Sequence, residues 1–194
     1  MECFVNANGK YNAPLGNVLR ANMKSGRVTN EKKNLNRLAG EFLVASRLTQ
    51  RGYMITLQWG NTISYDILAF DKCGNVAFIE VKTTASHPRS WMLQKKYATP
   101  ADDSIPLDKR FICCVDISGK DREPVVHVFP AQVVADGLHY YFHSKFPDSP
   151  SYHLSLDCKP QRQSKLGVPT VGDHIQADDF LERFDALGLS PVTG

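Results

Sequence analysis

The sequence predicts an α/β fold in which a mixed β-sheet is flanked by helices. The first observation is an amphipathic pattern over residues 30–51, which indicates one long helix. The second is a series of short apolar segments separated by glycine, proline and polar turns, which indicates strands. In chain order these segments give a helix, three strands, a short helix, two strands and a helix, and this order favours a mixed sheet with helices packed on it.

The length and composition predict a single globular domain. The chain has 194 residues, enough to bury a core without disulfides or a metal. No apolar run approaches the roughly 20 residues of a membrane span, and the N-terminal residues lack the pattern of a secretory signal, so a cytoplasmic protein is expected. The five cysteines include no Cys-x-x-Cys pair, which argues against a zinc ribbon and a disulfide framework. We expect an N-terminal arm over residues 1–29 and one domain over residues 30–190.

The basic residues are concentrated in the first quarter of the chain. Residues 1–51 contain nine Lys or Arg and three Asp or Glu, whereas the whole chain has 23 and 20. Such a segment can attract a polyanion, although basic N-terminal segments are often only solvated. The candidate nucleic-acid contacts are Arg20, Lys24, Arg27, Lys32, Lys33, Arg37 and, later in the chain, Lys96.

The first predicted helix carries an acidic residue at the apolar stripe. Thr29 or Asn30 can cap its start, and Gly52 ends it. Glu41 lies on or beside the stripe, where a carboxylate is costly unless it is paired or bound to a metal. The apolar positions recur at helical spacing: Leu35, Leu38, Ala39, Phe42, Ala45 and Leu48.

The remaining elements follow from composition and alternation. Residues 91–97 are predicted as a short helix or turn, Pro130 as the first residue of a helix, and residues 178–187 as a closing helix. Strands are predicted at residues 53–59, 63–70, 76–83, 111–117, 125–129 and 152–156.

Three charges interrupt the apolar hairpin formed by residues 63–84. Because side chains alternate along a strand, Glu80 and Lys82 share one face, about 7 Å apart. If the hairpin is symmetric about Cys73, paired residue numbers sum to 146 and Asp66 lies directly opposite Glu80, although a bulge in the turn would change this register.

Two facing carboxylates indicate a metal site. They repel each other across a β-pair, and partial burial would push one of them toward protonation. A divalent cation removes the conflict, and hard oxygen ligands suit Mg²⁺ or Mn²⁺. Lys82 can then hold an attacking water or stabilise developing charge. The alternative is a surface ion pair of Lys82 with Glu80 or Asp66, which the apolar flanking residues disfavour.

The stretches "GEFLVASRL", "YDILAF" and "FIEVKTT" resemble a nuclease superfamily. They look like the metal-dependent PD-(D/E)xK nucleases, which include restriction endonucleases and archaeal Holliday-junction resolvases. The resemblance covers about residues 30–117 and implies a restriction-endonuclease-like mixed central β-sheet with an α-β-β-β-α-β core. The sequence departs from the signature at Tyr65, where the proline that gives the family its name would stand.

The resemblance also implies roles for individual residues. Asp66 and Glu80 would be metal ligands for Mg²⁺ or Mn²⁺, with the Val81 carbonyl completing the coordination. Lys82 would be the catalytic lysine. Glu41 would be an acid that supports the site or holds a second metal ion.

The same resemblance implies an endonuclease that hydrolyses phosphodiester bonds, with DNA favoured over RNA. Gln94 would orient the substrate, with Lys96 as the second candidate, and a homodimer is a mild expectation. One alternative is a non-catalytic nucleic-acid- or protein-binding module on the same fold, which the intact Asp, Glu and Lys set disfavours. Another is an effector or toxin nuclease, or a component of phage defence.

Overall fold

The computed structural model describes residues 29–59, 65–99, 105–119, 121–139, 148, 151–156, 175 and 177–192. The two α-helices in these ranges are α1, Asn30–Gln50, and α2, Ala131–Leu138. The strands are β1 Met54–Leu57, β2 Ile67–Phe70, β3 Val76–Thr84, β4 Ser90–Gln94, β5 Arg110–Asp116, β6 Val125–Pro130 and β7 Ser151–Ser155. Most predicted bounds agree to within a few residues, but Pro130 precedes α2 as its N-cap instead of being its first residue.

The main sheet is mixed, as predicted. Its strand order is β1-β2-β3-β5-β6. The pairs β1/β2, β2/β3 and β5/β6 are antiparallel, whereas β3 and β5 are parallel. Strands β4 and β7 form a separate antiparallel pair. The predicted fold class, an α/β mixed sheet with helices, is therefore confirmed.

Helix α1 begins and ends where the sequence predicts. The Thr29 hydroxyl accepts a hydrogen bond from the Lys32 N–H at 3.3 Å, so Thr29 caps the first turn. Gly52 has φ 80°, a left-handed conformation that glycine adopts without steric cost and that stops the helix. The residues of α1 that are buried are Gly40, Glu41, Val44, Ala45 and Leu48.

Two apolar cores lie on opposite faces of the sheet. Helix α1 packs in the first core with Ala77, Ile79 and Val81, the odd-numbered residues of β3. The second core contains Ile112 and Cys114 of β5 together with residues of β4, β7 and α2. Because Ile112 and Cys114 pair with Glu80 and Lys82 in the parallel register, both of these charged residues lie on the face of the second core.

The segment predicted as a short helix at residues 91–97 is instead a strand followed by a 3₁₀ turn. Strand β4 pairs with β7, and the turn comprises Lys95–Tyr97. Trp91 and Leu93 are buried while Met92 and Gln94 are exposed, which is the two-residue period of a strand. The sequence prediction was wrong because β4 is stabilised by a partner about 60 residues away.

The predicted closing helix at residues 178–187 is also wrong. Two 3₁₀ turns, Ala177–Phe180 and Phe184–Leu187, take its place. Glu182 between them has φ 53° and donates its N–H to the Val126 carbonyl at 2.9 Å. A left-handed residue cannot continue a right-handed helix, so the bond to β6 divides the segment.

The predicted N-terminal arm, apart from Thr29, lies outside the described residues, and the domain boundaries stay a prediction. No helix in the described ranges is long and apolar enough to cross a membrane. Cys113 and Cys114 are buried free thiols of β5.

A close contact between α1 and β3 gives a testable prediction. A Cβ added at Gly40 would overlap the Thr83 hydroxyl and lie 3.1 Å from the Thr83 Cβ. Overpacking costs about 1–3 kcal/mol. An overlap this severe belongs at the upper end of that range, above the roughly 1 kcal/mol that alanine gains over glycine in a helix. Gly40→Ala should therefore lower the Tm in thermal unfolding.

The Thr83 hydroxyl is buried and has no hydrogen-bond partner among the described residues, so Thr83→Ala removes the clash without breaking a bond seen there. The double variant Gly40→Ala/Thr83→Ala should recover most of the loss. Ser46→Ala, at an exposed position of the same helix, is the control and should not lower the Tm. A Gly40→Ala protein as stable as the wild type would contradict the close approach of α1 and β3.

Candidate active site

Asp66 lies where the ladder between β2 and β3 ends. The four pairs from Ile67–Ile79 to Phe70–Val76 have residue numbers that sum to 146, the predicted register. Asp66 does not continue this ladder, because its N–H donates to the Ile79 carbonyl at 2.9 Å. The predicted pairing of Asp66 directly opposite Glu80 is therefore wrong. Strand β3 continues beyond this point to Thr84 beside β5, so Asp66 stands at the side of β3 that β2 no longer covers.

The Asp66 carboxylate is anchored to the backbone of β3. Its Oδ2 accepts the Val81 N–H at 2.7 Å. The N–H and C=O of one residue in a strand point to the same side, so the Val81 carbonyl also points toward Asp66. The structure thus brings together two of the groups that the resemblance implies as metal ligands.

Glu80 is held from the other face of the sheet by two donors. Lys82 Nζ donates to Glu80 Oε1 at 2.5 Å, and the Tyr97 hydroxyl donates to the same oxygen. Burial, followed by the charge of Glu80, raises the pKa of Tyr97 well above its usual value. The phenol therefore stays protonated and keeps its hydrogen bond to Glu80.

Tyr97 also has two ammonium groups near its ring. Lys82 Nζ lies 5.4 Å from the ring centroid and Lys96 Nζ lies 5.2 Å from it. No sequence motif indicates the bond from Tyr97 to Glu80. The only sequence signal was its position beside Lys96, because β4 and the 3₁₀ turn determine where its hydroxyl points.

Glu41 enters the site from α1, on the face of the first core. Its carboxylate is buried and accepts a hydrogen bond from the Arg37 guanidinium. Burial raises the pKa of Glu41, and the negative charge of Asp66 raises it further, while Arg37 and Lys82 oppose the shift. Glu41 is therefore coupled electrostatically to Asp66.

Asp66 itself is in an environment that disfavours its charge. Burial is the main cause that raises the pKa of this carboxyl, and the charge of Glu80 adds to it. The hydrogen bond from Val81 and the charge of Lys82 lower it and only partly compensate. The charged groups of Glu41, Asp66, Glu80 and Lys82 thus lie close enough at the edge of β3 to shift the pKa of Asp66 or Glu41.

The fit to a metal ion rests on a small set of oxygen atoms. Within the ranges the structure describes, no three Asp, Glu, His or Cys side chains form a ready-made metal-binding group. Lys82 and Tyr97 both donate to Oε1 of Glu80, and Arg37 donates to Oε1 of Glu41, so these bonds engage one oxygen of each carboxylate. The available donors are the oxygens of the two carboxylates Asp66 and Glu80 and the Val81 carbonyl, all hard ligands, and Mg²⁺ typically uses one or two carboxylates and keeps several waters.

The remaining predicted site residues are spread around this centre. Gln94 is exposed at the end of β4, just before the 3₁₀ turn that carries Lys96 and Tyr97. No contact of the Gln94 side chain with the acidic residues is seen among the described residues, and its role stays a prediction. Lys32 and Lys33 are exposed in the first turn of α1. The remaining basic candidates, Arg20, Lys24 and Arg27, lie outside the described residues.

No protein-family model matches the chain, and no curated protein does. Among solved structures, the chain is similar to a bacterial homing endonuclease, I-Ssp6803I, with a TM-score of 0.47 and 15% identity over 84% of this chain and 94% of that one. It is also similar to Hjc, a Holliday junction resolvase of the archaeal hyperthermophile Archaeoglobus fulgidus, with a TM-score of 0.36 and 16% identity over 50% and 74%. Both are nucleases, the class that the sequence motifs resemble. At these identities and TM-scores they do not assign an activity to this chain.

The anchoring of Asp66 predicts opposite effects for two substitutions. Asp66→Asn keeps an oxygen that can accept the Val81 N–H and removes the unfavourable charge, so the Tm should rise. Asp66→Ala leaves the Val81 N–H without its partner, which costs about 1–3 kcal/mol, so the Tm should fall. Thermal unfolding in the presence of EDTA measures both effects without a metal contribution.

The effect of Asp66→Asn should depend on pH. The pKa of Asp66 is raised in the folded protein above its usual 3.8, so its charge destabilises the fold at pH values above the raised pKa. That penalty shrinks as the pH falls through the raised pKa, and it disappears only below 3.8, where the folded and unfolded states are both protonated. The difference in Tm between Asp66→Asn and the wild type should therefore be largest near neutral pH and shrink on acidification. A pH-independent difference would contradict this origin.

Proposed function

We propose that this protein is a metal-dependent endonuclease that hydrolyses phosphodiester bonds of nucleic acid, with DNA preferred over RNA. The observation that carries the proposal is the Asp66 carboxylate anchored to the Val81 N–H at 2.7 Å. The charges of Glu80 and Lys82 shift the pKa of Asp66. The charge of Asp66 in turn raises the pKa of Glu41. Shifted pKa values at one point of a protein are typical of functional sites.

The proposed cation is Mg²⁺ or Mn²⁺. Asp66, Glu80 and the Val81 carbonyl would hold it, and Glu41 would add negative charge behind Asp66. When bound, the cation lowers the pKa of a coordinated water and stabilises negative charge on a phosphate. Burial is the main cause that raises the pKa values of Asp66 and Glu41, and repulsion among the acids adds to it. Cation binding would relieve this repulsion.

Lys82 is the proposed catalytic lysine. Its ammonium has three donors, so it can hold Glu80 and still donate to a phosphate oxygen or to the attacking water. The hydrogen bond from Tyr97 to Glu80 fixes the carboxylate while Lys82 turns toward the substrate. Gln94 and Lys96 are proposed to contact the strand on the side of the site where β4 ends.

In the proposed reaction a water oxygen attacks phosphorus in line with the leaving oxygen. The bond from phosphorus to the sugar oxygen breaks, the attacking water loses a proton, and the leaving oxygen gains one. No side chain is a nucleophile in this scheme. The protein contributes position and electrostatic stabilisation, the terms that dominate phosphoryl transfer.

The direct test is cleavage of plasmid, branched and single-stranded DNA and of RNA with Mg²⁺ or Mn²⁺. Asp66→Asn, Glu80→Gln and Lys82→Met should each reduce the rate by about 10²–10⁴-fold, the range for removal of a group that acts on the transition state. Lys72→Met, an exposed lysine in the turn of the same hairpin, is the matched control and should cleave as the wild type does.

The result that would contradict the proposal is wild-type protein that cleaves none of these substrates with either metal. Calorimetric titration with Mn²⁺ then separates the alternatives. If the wild type binds Mn²⁺ and Glu80→Gln does not, the proposed metal site is supported and only the nuclease activity is rejected. No binding that depends on Glu80 would favour a non-catalytic module that binds nucleic acid or protein.

A further inference from the structure

An exposed aromatic pair lies at the edge of the main sheet. The rings of Phe42 in α1 and Trp59 after β1 have centroids 6.2 Å apart and are tilted by 56°. Phe42 is 49% exposed, Trp59 is 65% exposed, and Leu35, on the same stripe of α1, is 61% exposed. Large apolar side chains that share one exposed surface indicate a binding site.

This pair lies beside the proposed active site. Phe42 directly follows Glu41 in α1, and Trp59 directly follows Gln58. The Gln58 N–H donates to the Asp66 carbonyl at 2.9 Å, and consecutive Cα atoms are about 3.8 Å apart. A strand whose phosphate lies at Asp66 therefore has a neighbouring nucleotide within reach of the two rings.

The charges around the pair are compatible with a polyanion. Residues 53–65 contain no charged side chain, and the part of α1 from residue 34 to residue 46 contains only Arg37 and Glu41. Arg37 and Glu41 form an ion pair in which Arg37 remains exposed. A phosphate that approaches over these segments meets an exposed guanidinium and no uncompensated acid from either segment.

We infer that the Phe42–Trp59 pair stacks an unpaired base, and that the proposed nuclease prefers substrates with unpaired nucleotides beside the scissile phosphate. This inference rests on the proposed function. A base presents its face to an aromatic side chain only after it has left its own stack, which a fully paired duplex does not allow. Stacking of this kind tolerates any base, because every base has a π face.

A second copy of the chain is a poorer occupant of this surface. An aromatic side chain contributes about 150–250 Å² when it is fully covered, and Phe42 and Trp59 are already partly covered. The pair and Leu35 therefore offer less than the roughly 800 Å² per partner of a standard interface.

The fluorescence of Trp59 reports directly on binding at this surface. The other tryptophan of the chain, Trp91, is 2% exposed in the second core. The wild-type protein is titrated in EDTA with a single-stranded oligothymidylate and with a duplex of equal length, while tryptophan fluorescence is recorded. The single strand should quench the emission, and the duplex should leave it nearly unchanged.

Affinity is measured in parallel by the anisotropy of a labelled strand. Phe42→Ala and Trp59→Ala should each weaken single-strand binding by about 5- to 150-fold, the range for loss of one stacked base. Trp59→Phe retains an aromatic face and should restore most of the affinity. Met92→Ala, which removes a side chain that is 65% exposed on β4, is the matched control and should bind as the wild type does.

The inference is overturned if saturating single strand leaves Trp59 emission unchanged, or if Phe42→Ala weakens single-strand and duplex binding equally. It is also overturned if sedimentation shows a dimer that Trp59→Phe preserves and Trp59→Ala breaks. If the alanine variants fail to fold, the inference is still tested by the fluorescence quenching of the wild type and by the single-strand affinity of Trp59→Phe. Binding is measured without metal, so absence of cleavage rejects the proposed function, whereas cleavage without a single-strand preference rejects only the stacking site.

Discussion

The proposed site depends on the hydrogen bond between the Asp66 carboxylate and the Val81 N–H. This bond of 2.7 Å takes the place of strand pairing at the point where β2 ends and β3 continues. It holds the acid against a strand that is itself fixed along its length by β5. A carboxylate anchored in this way lies at the edge of the sheet, where groups from both faces can reach it.

The two faces of the sheet contribute different parts of the site. Glu41 comes from α1 in the first core, whereas Glu80 and Lys82 point toward the second core, where Tyr97 meets them. Each acid has a donor, yet the pKa values of Glu41 and Asp66 remain raised, mainly by burial. Such a concentration of acids costs stability, which is typical of a site kept for its chemistry rather than for the fold.

The exposed Phe42–Trp59 pair beside the site bears on which nucleic acid would bind there. The acids and Lys82 can act on a phosphate, which every nucleic acid carries, so they do not by themselves select among nucleic acids. The Phe42–Trp59 pair offers contacts of another kind, because aromatic faces bind bases and only when these are unstacked. The phosphate site and the aromatic pair would together favour a strand with local unpairing.

The sequence by itself determined the local features: the bounds of α1, the register of the four hairpin pairs from Ile67–Ile79 to Phe70–Val76, and the shared face of Glu80 and Lys82. These follow from periodicity, from turn length and from the alternation of a strand, which act over a few residues. The tertiary structure decided that residues 90–94 form a strand and that Tyr97 bonds to Glu80. It also decided the contact between Phe42 and Trp59. These outcomes depend on partners distant in the chain, such as β7 for β4, and a local pattern carries no information about such partners.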